Sequence, residues 1–493
     1  MNQFTIGLSD VWLALPLLIL FLGSMVPLTV RVLSRNQSVP PFIAVGVGVV
    51  VAVLALITIF YQWDNRVGLS FASKLVFDGI SSWTSAVVLF TGILVMWLSL
   101  GNPATRSHQS SEQVFLILNS ALAMMVLAAA NDLIIVFIGI ELMSLALYVL
   151  VGMSNEERLA KEAAFKYFIL GSFASAIYLF GVAFVDGIAQ TTNFIKLAES
   201  APGLASSQPL FLMGMVGIIV GLGFKVSLFP FHAWTPDVYQ GAPTPITAFL
   251  ATASKLAVFV VLVRIFSTRF LVGVPDLITV LQWLTILTIF LGNFAALRQT
   301  NFKRMLAYSS IAHSGYIMTG LIAAGLSSNA TFAASGVLFY LLTYTLMNVG
   351  AFAVLSLFEK NENTTLLLED FKGLGRSRPW VAVGLTICLL SLAGIPPMAG
   401  FFGKLFLFSA AIEEGLVWLV VWGLLGSVVG VYYYLRPIVL MYMADESLEP
   451  VAPGRDWFSR SALGVCAVLT LFLGIFSSPF YGQIQQAIFK ALE

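Results

Sequence analysis

At 493 residues, 59% hydrophobic and only 10% charged, with a net charge of +1 and a mean hydropathy of +0.94, the chain lacks the polar surface a soluble globule needs. It is expected to be an all-α polytopic membrane protein. With positive and negative charge nearly balanced, any electrostatic message lies in where the charges fall, and no nucleic-acid partner is expected.

Runs of about 20 apolar residues, the length that crosses a bilayer, lie near 11–31, 41–61, 78–99, 113–130, 132–152, 163–185, 209–229, 245–266, 277–297, 305–325, 332–358, 380–411, 415–441 and 459–478. Fourteen transmembrane helices are therefore expected. The first run lacks a basic leader and a small-residue cleavage site, so it is read as a retained helix. Loops after odd-numbered spans hold 16 of the 25 lysines and arginines, and those on the other side hold six. By the positive-inside rule both termini face outward.

Taken in order, Asp78 and Asp132 open apolar runs and read as helix-terminal groups favoured by the macrodipole. Glu141 lies alone within IIVFIGIELMSLALYVLVG, and Lys166 begins the sixth span, where it either snorkels to the interface or reaches inward. Lys225, in IIVGLGFKVSLFPF, precedes Pro230 by five residues. Lys255 reads as mid-helix in FLATASKLAVFVVLV. His313, in RMLAYSSIAHSGY, has serines and tyrosines close by. Lys404, in GFFGKLFLFSAA, follows Pro397 by seven residues. His232 sits at a Pro-rich connection and is assigned to packing or capping, His108 to a solvated loop, and Asp186 and Arg436 to helix ends.

Charges at mid-bilayer depth cost roughly 2.5 to 3.5 kcal/mol each on insertion scales, so several in separate helices need a function. A buried lysine is caught between desolvation, which favours the neutral amine, and a neighbouring carboxylate, which favours the ammonium. Changing the partner then moves a proton. Glu141, Lys225, Lys255, His313 and Lys404, with Lys166 as modulator, are the candidate site. Imidazole suits a relay between lysines because it titrates near neutrality, while a hydrogen-bonded structural histidine stays open as the alternative. A static ion pair that merely fixes helix packing is the alternative for Glu141, Lys225 and Lys404.

The proline interruptions GFKVSLFPFHAW (223–234) and SLAGIPPMAGFFGK (391–404) lie 166 residues apart, counted from Pro230 to Pro396. A shift of about 170 also lays 163–181 near 333–352. Five helices separate corresponding elements, so the two units run oppositely through the bilayer as inverted five-helix repeats, each containing a broken helix. This divides the chain into an N-terminal three-helix segment (1–112), two repeat units (113–270 and 271–445) and a C-terminal helix segment (446–493). Cys388 and Cys466 lack metal-ligand spacing, and the chain has no Walker loop, GxGxxG or haem-binding pattern. No cofactor or metal site is expected in it.

The stretches KVSLFPFHAWTPDVYQGAPTPITAFLATASK (225–255), KRMLAYSSIAHSGY (303–316) and SLAGIPPMAGFFGKLFLF (391–408) resemble the antiporter-like membrane subunits of respiratory complex I, the proton-pumping NADH:quinone oxidoreductase. The resemblance runs from about residue 10 to 480, and 163–181 is most similar to the branch called subunit N, or subunit 2 in mitochondria. It implies one proton channel per chain, with Glu141 and Lys225 as the paired groups of the first half, Lys255 as the central lysine, His313 as a connecting group and Lys404 as the terminal lysine. Subunit M carries glutamate at the last position and subunit L a long lateral helix, and both differences set this chain apart from them.

The resemblance further implies a translocase subunit of a bacterial inner membrane with no redox centre of its own. NADH, FMN, iron–sulfur clusters and quinone belong to partner subunits, and subunit M and small membrane subunits are the expected neighbours. A Mrp-type sodium/proton antiporter or membrane-bound hydrogenase subunit is the alternative within the fold, and a non-translocating scaffold is the alternative outside it.

Overall fold

A computed structural model describes residues 7–34, 39–63, 68–105, 109–154, 158–327, 330–359, 365–444 and 457–492, so His108 lies outside the described residues. The chain opens with α1 (Leu8–Leu13), α2 (Leu15–Leu33) and α3 (Pro41–Tyr61). An antiparallel hairpin, β1 (Gly68–Ser70) and β2 (Leu75–Phe77), with Gly68 opposite Phe77, leads into α4 (Gly79–Gly101). Then follow α5 (Ser110–Ala129), α6 (Leu133–Val151), α7 (Arg158–Ala189), α8 (Phe194–Ser207), α9 (Pro209–Lys225), α10 (Trp234–Gly241), α11 (Thr244–Ala251) and α12 (Ala253–Ser267). The remainder is α13 (Pro275–Leu297), α14 (Phe302–Leu326), α15 (Ala330–Phe358), α16 (Leu374–Ser377), α17 (Pro379–Ala393), α18 (Ala399–Glu413), α19 (Val417–Met443), α20 (Trp457–Ile475) and α21 (Ser477–Leu492).

Among the described residues, 11 helices are long and apolar enough to cross a membrane, or up to 12 if the bent pair α8 and α9 counts as one span. The expected count of fourteen differs at three places, each for a visible reason. α9 has 17 residues and stops at Lys225. α14 has 25 residues, but Lys303, Arg304 and its hydroxyl groups lower its hydropathy. The run 380–411 is divided into α17 and α18 by residues 394–398.

Local sequence sets the helix ends. Asp78 accepts a hydrogen bond from Ser81 N at 2.7 Å while Ser81 Oγ accepts from Asp78 N at 2.9 Å, a reciprocal capping box at the start of α4. Asp132 and Asn301 cap α6 and α14 in the same manner, through Ile134 N and Arg304 N. The helix-terminal reading of Asp78 and Asp132 therefore holds, and both carboxylates also hold a cation. Lys74 Nζ reaches Asp132 at 2.5 Å, and Arg264 grips Asp78 with two bonds of 2.9 Å.

Two loop pairings recur about 170 residues apart. Leu133 N donates to Thr192 O and Phe194 N to Asn131 O, at 2.9 and 3.0 Å; Phe302 N donates to Leu366 O and Leu368 N to Thr300 O, at 3.0 and 2.9 Å. The proline breaks match as well. Each has a cis X–Pro bond, at Phe229–Pro230 and Pro396–Pro397, and a positive φ shortly before it, 63° at Ser227 and 83° at Gly394. Glycine suits the second of these positions because it lacks the Cβ that crowds left-handed backbone.

Burial shows which helices meet lipid. α11 and α12 together are wholly buried and α15 nearly so, whereas α3 exposes Val50, Leu54, Ile57 and Phe60 along one side. The candidate residues therefore gather around a central wall formed by α11, α12 and α15.

The Arg264–Asp78 pair, with side chains 8% and 2% exposed, ties α12 to α4, and Arg264 also donates to Ala128 O at the end of α5. Truncating one partner leaves a buried charge uncompensated. Asp78→Ala is expected to destabilise the fold by about 3 to 5 kcal/mol, and Asp78→Leu combined with Arg264→Met to recover most of that, as read from thermal unfolding in detergent.

Candidate functional site

Three buried ammonium groups lie beside interruptions in helices. Lys225 ends α9, and its Nζ donates to Ser144 Oγ at 2.7 Å and Tyr148 OH at 3.2 Å. The rings of Tyr148 and Tyr167 lie 5.3 Å away, in cation–π range. Glu141 sits on the same face of α6 as Ser144 and Tyr148, since residues three and seven apart align on a helix. It forms no ion pair with Lys225, whose ammonium bonds to Ser144 and Tyr148 instead. One Glu141 carboxylate oxygen is buried without a hydrogen-bond partner in this chain. Hydroxyl groups, and not Glu141, make the direct contacts to the Lys225 ammonium.

Lys166 is partly exposed and held by two carboxylates. Its ammonium is bonded to Asp237 and Glu162, both at 2.7 Å, with 40% of the side chain exposed. Asp237 also accepts from Arg304 at 2.8 Å. Burial pushes the Asp237 carboxyl up, but the bonds from Lys166 and Arg304 outweigh it and hold the group below its ordinary value. Asp237 lies in DVYQGAP, a stretch whose residues carry no signal of these two ion pairs.

Lys255 follows an interruption that the sequence does not announce. α11 stops at Ala251, Thr252 adopts φ −116° and ψ −77°, and its hydroxyl bonds back to Ala248 O at 2.6 Å. Lys255 is therefore in the first turn of α12, a correction to its mid-helix reading. FLATASK contains no proline or glycine to signal the change. Lys255 Nζ donates to Ser310 Oγ at 2.6 Å, Ser310 O at 3.1 Å and Ser314 Oγ at 3.1 Å.

His313 lies between these two serines on α14 and bonds to Tyr340 OH through Nδ1 and to Tyr434 OH through Nε2, the latter at 2.9 Å. Tyr316, one turn further, packs edge-on against the imidazole with centroids 5.6 Å apart. Its other side meets Lys404, whose Nζ is 4.9 Å from the ring centroid. Lys404 donates to Ser427 Oγ at 2.7 Å and to Leu392 O and Ala393 O at 3.3 and 3.0 Å. Those two carbonyls end α17 and are freed by the Pro396–Pro397 break, so the broken helix supplies what the ammonium needs.

The structure thus joins Lys255, His313 and Lys404 through one helix, α14, and a set of tyrosines. Ser310 is the hub, because Tyr344 OH bonds to it at 2.7 Å and Tyr239 OH at 3.1 Å. Lys225 connects less directly, through a run of rings in which Tyr167 stacks on Trp234 at 4.6 Å and Trp234 meets Tyr239 at 6.5 Å. His232 stacks on Phe229 at 5.8 Å, away from the lysines, as its packing assignment requires. The tyrosines were not singled out in the sequence, where Tyr at this frequency is expected in a membrane bundle.

The family model described as "NADH:quinone oxidoreductase/Mrp antiporter, TM" matches residues 130–430. Over 488 residues the chain is 48% identical to the NADH-quinone oxidoreductase subunit N of Bdellovibrio bacteriovorus, covering 99% of this chain and 100% of that one. A chain of the respiratory complex I from Thermus thermophilus with bound aureothin superposes with a TM-score of 0.81 at 33% identity, covering 95% of this chain and 98% of its own. A chain of an archaeal membrane-bound sulfane sulfur reductase superposes with a TM-score of 0.84 at 26% identity, covering 98% of each.

If Lys166 is an interfacial group, Lys166→Ala removes a half-exposed ion pair that typically contributes about 0 to 1 kcal/mol. Arg304 still holds Asp237, so the thermal midpoint is expected to stay near that of the wild type. A large drop would mean that Lys166 is structurally coupled to the interior.

Proposed function

Because this chain belongs to the NADH:quinone oxidoreductase and Mrp antiporter family of membrane subunits, we propose that it is a proton-translocating subunit of an NADH:quinone oxidoreductase. Electron transfer takes place in partner subunits, which hold NADH, FMN, iron–sulfur clusters and quinone. This chain moves the proton.

One observation carries the reading: Lys255, His313 and Lys404 lie along α14, Lys255 hydrogen-bonded to Ser310 and Ser314, and His313 and Lys404 each packed against the Tyr316 ring. Hydroxyl and imidazole groups both donate and accept, so a proton can pass without a charge being left unsolvated. The partners of each ammonium are neutral hydroxyls and carbonyls. Losing the proton therefore breaks no ion pair.

In this mechanism a change of charge or geometry in a neighbouring subunit acts on Glu141, whose unpartnered carboxylate oxygen leaves it free to respond. Glu141 then changes the balance at Lys225 through space. The proton passes by way of Lys255 and His313 to Lys404 and leaves on the outer side. Moving one charge across the full potential takes about 2.3 kcal/mol per 100 mV, which a rearranged charge in a low-dielectric site can supply. Lys166 modulates the first step by tying α7 to α10 through Asp237.

The same reading assigns fourteen spans, inverted repeats over 113–270 and 271–445 flanked by segments 1–112 and 446–493, both termini on the outer side of a bacterial inner membrane, and subunit M and small membrane subunits as neighbours. The recurring loop pairings and proline breaks support the two units. A sodium-carrying antiporter is disfavoured by the 48% identity of this chain to an NADH-quinone oxidoreductase subunit N over its full length.

Neutralising Lys225 or Lys255 as alanine is expected to leave the complex assembled while NADH-driven proton pumping into inverted membrane vesicles is lost. Unchanged pumping would leave the chain a scaffold.

A further inference from the structure

A second buried charge cluster lies at the inner end of the bundle, the end marked by the excess of lysine and arginine. Glu359, just past the end of α15, accepts hydrogen bonds from Thr244 Oγ1 and Asn102 Nδ2. Lys303 Nζ lies 3.4 Å from its carboxylate but makes its short bond, 2.7 Å, to Ala242 O. The side chains are 7% and 6% exposed. This is a loose pair. The ammonium makes its shorter bond to a backbone carbonyl, and the carboxylate is also held by two neutral donors.

The cluster stands at the opposite end of α11 from Lys255. Thr244 begins that helix, and Lys255 lies eleven residues on, about 16 Å at the helical rise. Tyr344, Asn348 and Phe352 lie on one face of α15 at helical spacing, and Glu359 follows just past the end of that helix. Phe352 touches Tyr239 at 6.3 Å and fixes which way that face points. Asn348 is 1% exposed, and its side-chain oxygen has no hydrogen-bond partner, so at this depth it is a docking point for water. Tyr344 completes the run through its 2.7 Å bond to Ser310 Oγ, which also accepts from Lys255.

Toward the outer side Lys255 meets the reverse. Every residue from Leu256 to Val263 is apolar and no more than 1% exposed. Arg264 then closes the end by its double bond to Asp78. On the inner side of Lys255 polar groups stand at both ends of the path, Tyr344 and Asn348 toward the Ser310 that holds Lys255 and Glu359 at the inner end, whereas the other side offers hydrocarbon followed by a fixed positive charge.

We propose that Glu359 is a proton-uptake group that loads Lys255 from the inner face, with Lys303 as its positioning partner. The Glu359 carboxylate takes a proton from inner-face water and becomes a neutral acid, which releases Lys303. The proton then leaves that O–H bond, passes by Asn348, Tyr344 and intervening water, and forms an N–H bond on the free amine of Lys255. Glu359 returns to a carboxylate and recaptures Lys303, so one proton enters and one is delivered.

The inference rests on the proton-translocating reading, and one experiment separates the two. NADH-driven pumping is measured in inverted vesicles containing the assembled complex with Glu359→Gln, Glu359→Asp or Lys255→Ala. Glutamine keeps an acceptor for Thr244 and Asn102 but cannot carry the proton. Glu359→Gln is therefore expected to lose pumping to the same extent as Lys255→Ala, with Glu359→Asp retaining it. Full pumping in Glu359→Gln beside a dead Lys255→Ala overturns the uptake role alone, and full pumping in Lys255→Ala overturns the translocating reading. Equal retention in the glutamine and aspartate variants assigns Glu359 to packing. If Glu359→Gln fails to assemble, Asn348→Leu decides: loss of pumping in an assembled complex supports the route, and wild-type pumping overturns it.

Discussion

An ammonium group inside hydrocarbon must find hydrogen-bond acceptors, and this fold places each such lysine beside a helix break and within reach of hydroxyls or freed carbonyls. Lys404 draws on the two carbonyls released at the end of α17, and Lys255 on the serines of α14 beside the Thr252 interruption. Lys225 ends α9 just before Pro230 and turns to hydroxyls on α6. Only Lys404 uses carbonyls that a break releases; Lys225 and Lys255 are held by hydroxyls of continuous neighbouring helices, and Lys255 also by Ser310 O within α14. The rest of the architecture serves that need. α11, α12 and α15 are buried because the groups they carry must be shielded from lipid, and the outer helices are apolar because they do the shielding.

Neutral partners give these lysines their chemical value. A carboxylate in direct contact would fix each charge, and taking the proton away would cost the pair. Hydroxyls and carbonyls solvate the ammonium without fixing it, so distant changes of charge can tip the balance. The ion pairs that do close tightly, Arg264 with Asp78 and Lys74 with Asp132, lie at helix ends and join neighbouring elements. Carboxylates thus hold Arg264 and Lys74 at helix ends, while neutral groups hold Lys225, Lys255 and Lys404.

Much of this was legible in the residues. The lysines stood out because each was the lone cation in an apolar run, and Pro230 and Pro396 announced two of the breaks. The third break was silent, since Thr252 interrupts the helix through a backbone hydrogen bond of its hydroxyl and leaves no compositional trace. Glu359 and Lys303 were hidden differently. Each stands beside polar sequence and reads as a solvated loop group, and their meeting across 56 residues exists only in three dimensions. The tyrosines around His313 were visible but uninformative, because aromatic residues are common in membrane bundles and their hydroxyl bonds depend on packing. The direct Glu141–Lys225 pair, natural to expect from two opposite charges, gave way to Ser144, which lies one turn from Glu141 on the same face of α6.

The central claim is that Lys255, His313 and Lys404 form one wet, exchangeable path. A map of the assembled complex at a resolution that shows ordered water tests it most directly. The account expects water density bridging the hydroxyl and imidazole groups from Ser310 past His313 to Lys404. Dry packing of the three side chains, with no water between them, would contradict it.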